Sequence, residues 1–356
     1  MRRALILALA ALAACSGPLP PGVEKLAAAP NVQSFFWSPA SRRLAYVEGR
    51  FPDRTYLVVA DGPRRRLRTR LKGFVLGGAV ALTRDGRRVL LDAGKLGPYA
   101  SRAEPAERTL LIVDADSGRI LSENPLGPGG VAALGHPAWS TDPIAIWNDK
   151  EGVHWTAFGV EQTSGALKGP AAWRALLLDE PFVVVAEKQT ERPRMIVYDL
   201  RTNREAFEWR VALSGAPLAI RPDGSALSAR WMPETGIFVL ESGDPKTGRR
   251  APLLEAEGEI ESAVETEHGL YAIAKDPTRR NASGKDFLAP RVLLVVESGG
   301  QRWSVPWTSH RGEFLGWDAG SGRLLFAVTD RDRPAAWAIA PTRAALSAAG
   351  PAIDSQ

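Results

Sequence analysis

Residues 35–47 read FFWSPASRRLAYV, residues 55–62 read TYLVVADG, and residues 64–71 read RRRLRTRL. A short apolar run leads into a turn carrying Pro and Ser, and a second apolar run follows. A third run, rich in Val, ends at Asp-Gly, and a fourth, basic run comes after it. Short stretches of aromatic and β-branched residues punctuated by Gly, Pro, Asp and Ser are the pattern of strands and tight turns.

Working outward, the pattern recurs. VALTRDGRRVLLDA starts at Val80, PAWSTDPIAIWN at Pro137, LAIRPDGSALSARW at Leu218 and FLGWDAGSGRLLFAVTDRD at Phe314. Two weaker copies stand at 182–186 and 260–274. With Trp37, Leu82, Trp139, Val183, Ile220, Val264 and Trp317 taken as equivalents, the steps are 45, 57, 44, 37, 44 and 53 residues. Third strands follow from Leu110, Met195, Ile237, Arg291 and Trp337, several of them turning into a fourth. Many runs are apolar at consecutive positions, as expected where both faces of a sheet are covered. Helical periodicity is nearly absent outside the N-terminal run and the tail from Pro341. Self-similar four-stranded units at this period predict an all-β chain, a seven-bladed β-propeller of four-stranded antiparallel blades.

The units resemble the WD40-like (PD40) repeats of TolB-like propellers, whose consensus runs W-S-P-D-G, strand, S-D-R-D-G, strand. Residues 37–61 (WSPASRRLAYVEGRFPDRTYLVVAD) and 317–340 (WDAGSGRLLFAVTDRDRPAAWAIA) match it best, and blades 4 and 6 depart from it. No separate domain like the N-terminal one of TolB is expected before the repeats. The last repeat offers three clear strands, so VEKLAAA (Val23 to Ala29) is expected to supply the outer strand of blade 7 and close the ring.

At the N-terminus, Met-Arg-Arg precedes an unbroken apolar run, Ala4 to Ala14, that ends in Leu12-Ala13-Ala14-Cys15. A basic start and a short apolar run match a secretory signal, and the run is too short to span a bilayer. Small residues before a cysteine resemble the lipobox of bacterial lipoproteins. That resemblance implies a lipid on Cys15, removal of residues 1–14 and, because Ser16 follows, sorting to the outer membrane. Cys15 is the sole cysteine, so no disulfide forms within the chain. Two or more acyl chains hold a protein on a membrane where one is marginal. The expected layout is a signal peptide at 1–14, lipidated Cys and Pro-rich spacer at 15–23, propeller at 24–341 and tail at 342–356. The spacer, SGPLPPGV, would hold the domain about 25 Å from the lipid at roughly 3.1 Å per residue.

Composition is that of a packed globular protein, 45% hydrophobic and 24% charged. Of its 45 basic residues 36 are arginine, and the net charge is +5. Such a balance suits anionic partners, and a GC-rich genome's codon usage also produces it. Nucleic acid is not expected as a partner outside the cytoplasm.

Connections between second and third strands share a face with the entries to each blade. Two are long, at 93–108 and 274–290, and long loops on a rigid scaffold are where binding usually resides. Arg102, Arg279 and Arg280 in these loops are candidate binding residues. Charge also gathers in related loops, at Arg50, Asp53 and Arg54, at Glu191, Arg192 and Arg194, and at 330–333. Polar candidates for the central tunnel are Asn31, His136, Glu180, Glu261 and Glu313. Carboxylates converging with an Asn resemble the divalent-metal sites of lactonase-type propellers, yet no metal or other cofactor is expected.

Catalysis by a nucleophile finds no support. There is no G-x-S-x-G elbow, and the four histidines lack ligand spacing. Three motifs read as structural. Asp114, Asp116 and Gly118 copy the start of an EF-hand loop, but its twelfth position is Pro125, and a hairpin turn is needed there. Gly127, Gly129 and Ala132 satisfy G-x-G-x-x-A with no helix to follow. The run from Arg64 to Lys72 falls on an outermost strand, where basic residues guard an edge, and contact with anionic lipid is a second reading. The tryptophans at 37, 139 and 317 are expected to pack between blades. The expectation is therefore a non-catalytic, membrane-anchored envelope lipoprotein whose propeller binds a protein or cell-wall partner. The alternatives are a metal-dependent lactonase-like hydrolase at the tunnel, or a small-ligand or sugar-binding sensor.

Overall fold

A computed structural model describes residues 22–29, 31–32, 35–50, 54–95, 107–126, 131–135, 144–148, 153–158, 162–168, 173–179, 182–187, 194–210, 217–221, 225–244, 247, 249–276, 291–307, 312–330 and 333–349. They form seven antiparallel four-stranded sheets, each built from consecutive strands except the last.

Blade 1 comprises β2 (Phe35–Ser38), β3 (Arg43–Arg50), β4 (Arg54–Asp61) and β5 (Arg64–Thr69). Blade 2 comprises β6 (Phe74–Leu82), β7 (Arg88–Lys95), β8 (Glu107–Asp114) and β9 (Ile120–Pro125). In blade 3 come β10 (Val131–Gly135), β11 (Ile144–Asn148), β12 (Val153–Phe158) and β13 (Gln162–Lys168). Blade 4 holds β14 (Trp173–Asp179), β15 (Phe182–Glu187), β16 (Arg194–Asp199) and β17 (Arg204–Arg210). Next, in blade 5, are β18 (Pro217–Ile220), β19 (Ala226–Met232), β20 (Ile237–Gly243) and β21 (Arg250–Ala256). Blade 6 has β22 (Ile260–Thr266), β23 (Gly269–Lys275), β24 (Arg291–Glu297) and β25 (Arg302–Trp307). Blade 7 takes β26 (Gly312–Asp318), β27 (Arg323–Asp330) and β28 (Arg333–Ile339) from the end of the chain. Its outer strand is β1 (Val23–Ala28), which pairs antiparallel with β28 from Val23↔Ile339 to Ala28↔Ala335. The predicted closure is therefore present, over Val23–Ala28 where Val23 to Ala29 was expected.

Successive side chains of a strand point to opposite faces, so each middle strand feeds two seams. On β3, Leu44 and Tyr46 pack toward blade 7, while Ala45 and Val47 pack toward blade 2. On β7, Val89 and Leu91 join the seam with blade 1, and Leu90 joins the seam with blade 3. Among the described residues each of the seven seams has its own buried apolar cluster. That is why the middle strands read as continuous apolar runs. Outer strands alternate instead, as in β9 with its half-buried and exposed positions.

Innermost strands carry a register shift in six blades, for example between Leu76 and Val80 of β6 and between Phe314 and Gly316 of β26. A bulge raises the local twist and bends the strand, which suits an edge that must turn against the channel. Residues 343–349 of the tail pack on the ring. The helix they form, Arg343–Ala349, buries Ala345, Leu346 and Ala349 in the seam between blades 6 and 7.

Blade 4 departs from the repeat as read in sequence. Val183 lies on the second strand, β15, opposite Leu178 of the true first strand, β14. The sequence joining them, from Asp179 to Phe182, has no Asp-Gly, so the expected turn signal is missing there.

Candidate functional site

Because strands alternate in direction, turns between first and second strands share a face with turns between third and fourth strands. That is called the turn face below. The loop face carries the connections between second and third strands and those between blades. Both long connections leave from it, one between Lys95 and its ladder partner Glu107, the other between Lys275 and its partner Arg291. Their feet stand on blades 2 and 6, with blades 7 and 1 between them.

An acid held by an arginine sits near the foot of each connection, buried in blade 2 and half-buried in blade 6. Asp92 on β7 is buried and accepts a hydrogen bond from Arg108 on β8. Burial pushes the Asp92 carboxyl up, and the Arg108 guanidinium opposes this without reversing it. Asp92 Oδ1, Arg108 Nε and Thr109 Oγ1 have no hydrogen-bond partner among the described residues. In blade 6, Glu261 accepts from Arg291 through both oxygens, at 2.9 and 3.1 Å. Lys275 stands 3.7 Å from Glu261 and donates to Glu259 at 2.5 Å. Blade 1 repeats the theme with Glu48, buried on β3, which accepts from Arg68 at 2.6 Å while Arg68 lies over the Tyr56 ring. The signal for these pairs was legible as single acids inside apolar strands, VLLDAG and AYVEGR, although their partners were not.

Of the residues expected to bind, Asn31 is exposed between β1 and β2 with a φ of 57°. Glu261 enters the structure as the partner of Arg291 and Lys275, which neutralise it before any metal could. Glu313 lies on β26 opposite Ala327. Cys15, Arg102, His136, Glu180, Arg279 and Arg280 lie outside the described residues, and so does Trp139. Among the described residues no group of three or more His, Cys, Asp or Glu is arranged to hold a metal ion.

The motifs read as structural fall where expected. Asp114 Oδ1 accepts from the Ser117 amide and hydroxyl, each at 2.7 Å, and Gly118 follows at a φ of 73°. A carboxylate that closes its own turn, then a left-handed residue, is what a hairpin between β8 and β9 needs. A strand, β10, follows Gly127 and Gly129. The basic run is β5, an outermost strand with Arg64, Arg65, Arg66 and Arg68 exposed. Trp37 is buried at the blade 7–1 seam, and Trp317 is half-buried with its ring 5.5 Å from that of His268.

On the turn face, the closing seam holds a cavity of about 270 Å³ lined by Glu24, Trp37, Arg42, Asp61, Asp318 and Arg323 among others. Arg42 pairs with Asp318 at 3.3 Å, Arg43 with Asp61 at 3.1 Å, and Arg323 with Glu24. With cations and acids matched, the cavity offers hydrogen-bonding edges without a large field, which suits water or a small hydroxylated solute.

Turn aspartates set an acid limit on stability. The Ser117 hydroxyl and amide hold Asp114 below the usual carboxylate range, and the Arg201 guanidinium does the same for Asp199. A carboxyl depressed in the folded state stabilises above its unfolded pKa, about 3.9, and that contribution fades as pH falls through the folded value. Melting temperature is expected to drop more steeply between pH 5 and 3 in the native chain than in Asp114→Asn/Asp199→Asn, which starts lower. Parallel curves would remove these two groups from the account.

No family model matches the chain, and no curated protein matches it. Solved structures do. An oligogalacturonate lyase in complex with manganese matches with a TM-score of 0.60 at 13% identity, over 92% of this chain and 96% of that one. The propeller domain of Cps50 (Swd1) from Myceliophteria thermophila matches with a TM-score of 0.57 at 12% identity, over 89% and 99%. U3-55K matches with a TM-score of 0.58 at 12% identity, over 91% and 100%. The fold is that of the seven-bladed, WD40-like propellers. At such identities the likeness speaks for the propeller alone. The activity must be argued from this chain's own surfaces.

Proposed function

We propose that the protein is a lipid-anchored envelope propeller, held at the outer membrane through Cys15 and facing the periplasm, that binds a protein or cell-wall partner on its loop face. One observation carries the reading. Because β1 is the outer strand of blade 7, the chain enters the propeller at the turn face, where the Gly22 carbonyl accepts from Ala340 N at 3.1 Å. A lipid on Cys15, seven residues upstream, would leave the loop face turned away from the bilayer and free for a partner. The WD40-like scaffold, whose fold commonly mediates protein interactions, supports the class of function. The hydrolase alternative is weakened because Glu261, one of its three carboxylates, is already held by an arginine and a lysine.

Two measurements test this. Labelling with a fatty-acid analogue is expected to mark the native protein, and Cys15→Ser is expected to be unlabelled and recovered in the soluble fraction. An unlabelled native chain overturns the anchor. Replacing residues 96–106 and 277–290 by short turns is feasible, because the ladder pairs Lys95↔Glu107 and Lys275↔Arg291 stand at their feet. This variant is expected to keep its melting temperature within a few degrees and to lose crosslinking to its partner in cells. Undiminished crosslinking would move the binding surface elsewhere.

A further inference from the structure

Four turns of blades 1 and 2 lie side by side on the turn face, at residues 38–43, 61–66, 83–88 and 114–119. They contain nine arginines and four aspartates, a net charge of +5, which equals the formal excess of the whole chain. The corresponding turns of blades 6 and 7, at 266–269, 297–302 and 318–323, carry no positive excess. The positive excess of this face is therefore largest over blades 1 and 2 together, most of it on blade 1, with a lesser excess of +2 at residues 243–250 of blade 5.

The four aspartates are consumed in holding the turns. Asp61 faces Arg43 at 3.1 Å and pairs with Arg66, and Asp116 accepts from Arg43 at 3.1 Å. Asp85 accepts from the Thr83 hydroxyl at 2.6 Å and the Arg87 amide at 3.0 Å. Asp114 closes its own turn. Arg43 also donates to the Gly86 carbonyl at 2.7 Å, which fastens the turns of blade 1 to those of blade 2. What remains outward is an arginine surface, with Arg64, Arg87, Arg88 and Arg119 all exposed.

Position supplies the second observation. Blade 1 adjoins blade 7, and the chain enters blade 7 on this same face at Gly22. A spacer of seven residues spans at most about 22 Å in an extended polyproline form, so a lipid at Cys15 would bring this face, not the other, against headgroups. We propose that the arginine turns of blades 1 and 2 dock on the anionic phospholipid headgroups of the bilayer and set the propeller's orientation on it. The proposal rests on the lipid-anchor reading for its biological setting, and its physical content stands without the lipid. Guanidinium groups pair with phosphate through paired N–H donors, and each basic residue at an anionic surface strengthens partition roughly fivefold.

The test uses the full chain carrying Cys15→Ser, mixed with vesicles of phosphatidylcholine alone or with about a third phosphatidylglycerol. Two quadruple variants are compared with it. Arg64→Gln/Arg87→Gln/Arg88→Gln/Arg119→Gln strips the surface. Arg201→Gln/Arg204→Gln/Arg249→Gln/Arg302→Gln removes as much charge from the same face at blades 4, 5 and 6. Residues 1–14 contribute equally to all three proteins, so differences between variants decide. The first variant is expected to bind phosphatidylglycerol vesicles about 600-fold more weakly than the parent, and the second within about threefold of it. Roughly 0.5 M salt is expected to abolish the parent's preference for anionic vesicles. Equal weakening by both variants, no weakening by the first, or a preference indifferent to salt each overturns the proposal. Since no lipid is attached in this assay, failure here leaves the anchor standing, and failure of labelling at Cys15 leaves the docking surface standing.

Discussion

A chain lacking residues 23–28 is expected to lose its monomeric state and its single cooperative melt. The segment is the outer strand of blade 7, paired along β28 from Ile339 to Ala335. Leu26 on it is buried in the seam with blade 1, beside Trp37, Tyr46 and Phe35. Deleting it strips one edge of β28, whose middle residues are all buried, and leaves unpaired backbone groups beside apolar side chains. Such an edge is a template for pairing with another chain. Closing a loop of some 300 residues costs about 5 kcal/mol of chain entropy, so the closing strand must contribute more than that for the ring to stay shut. Size-exclusion chromatography with light scattering is expected to show dimers or larger species, with a melting temperature lower by at least about 10 °C. Leu26→Asp keeps the backbone pairing and is expected to cost about 3–5 kcal/mol while leaving a monomer. A deletion variant that stays monomeric with an unchanged melt would show that the ring does not depend on this strand.

The second large effect is expected from Trp337→Ala. Trp337 on β28 is 2% exposed and belongs to the seam cluster that also holds Trp307, Phe326, Leu346 and Ala349. Trp307 and Phe326 stand with ring centroids 4.9 Å apart, and Phe314 and Phe326 with centroids 4.8 Å apart. Removing the indole takes away its buried apolar area and leaves a cavity where a sheet, a second sheet and the C-terminal helix meet. The expected cost is about 3–5 kcal/mol. Trp231, 37% exposed and resting against Phe238 on β20, provides the contrast. Trp231→Ala is expected to cost about 1 kcal/mol or less. Urea unfolding of both variants checks the pair, and a Trp337→Ala cost no larger than that of Trp231→Ala would deny the seam its role.

The arginine turns and the closing strand are linked through geometry. If the anchor and the docking surface both hold, the same strand that shuts the ring also decides which face meets the bilayer. The loop face, from which both long connections leave, is then the one turned toward a partner.

Local chemistry was readable before any coordinates. Alternation between apolar runs and Asp-Gly or Ser-Gly turns spelled out strands and hairpins. Asp114 with Ser117 and Gly118 shows why, since all the bonds that shape that turn lie within a few residues. The count of seven and the closing role of Val23 to Ala28 followed from repetition and from one missing strand. Blade 4 was read one strand late because the sequence between its first two strands lacks the expected Asp-Gly. Other facts depend on residues far apart in the chain. Arg43 reaches Asp116 across 73 positions, Glu261 meets Arg291 across 30, and Glu24 meets Arg323 across 299. No periodicity encodes such pairs, because curvature accumulated over seven bulged and twisted sheets brings their elements together. For the same reason the arginine clusters at 42–43, 64–66 and 87–88 are visible in the sequence, while their gathering on four neighbouring turns is not.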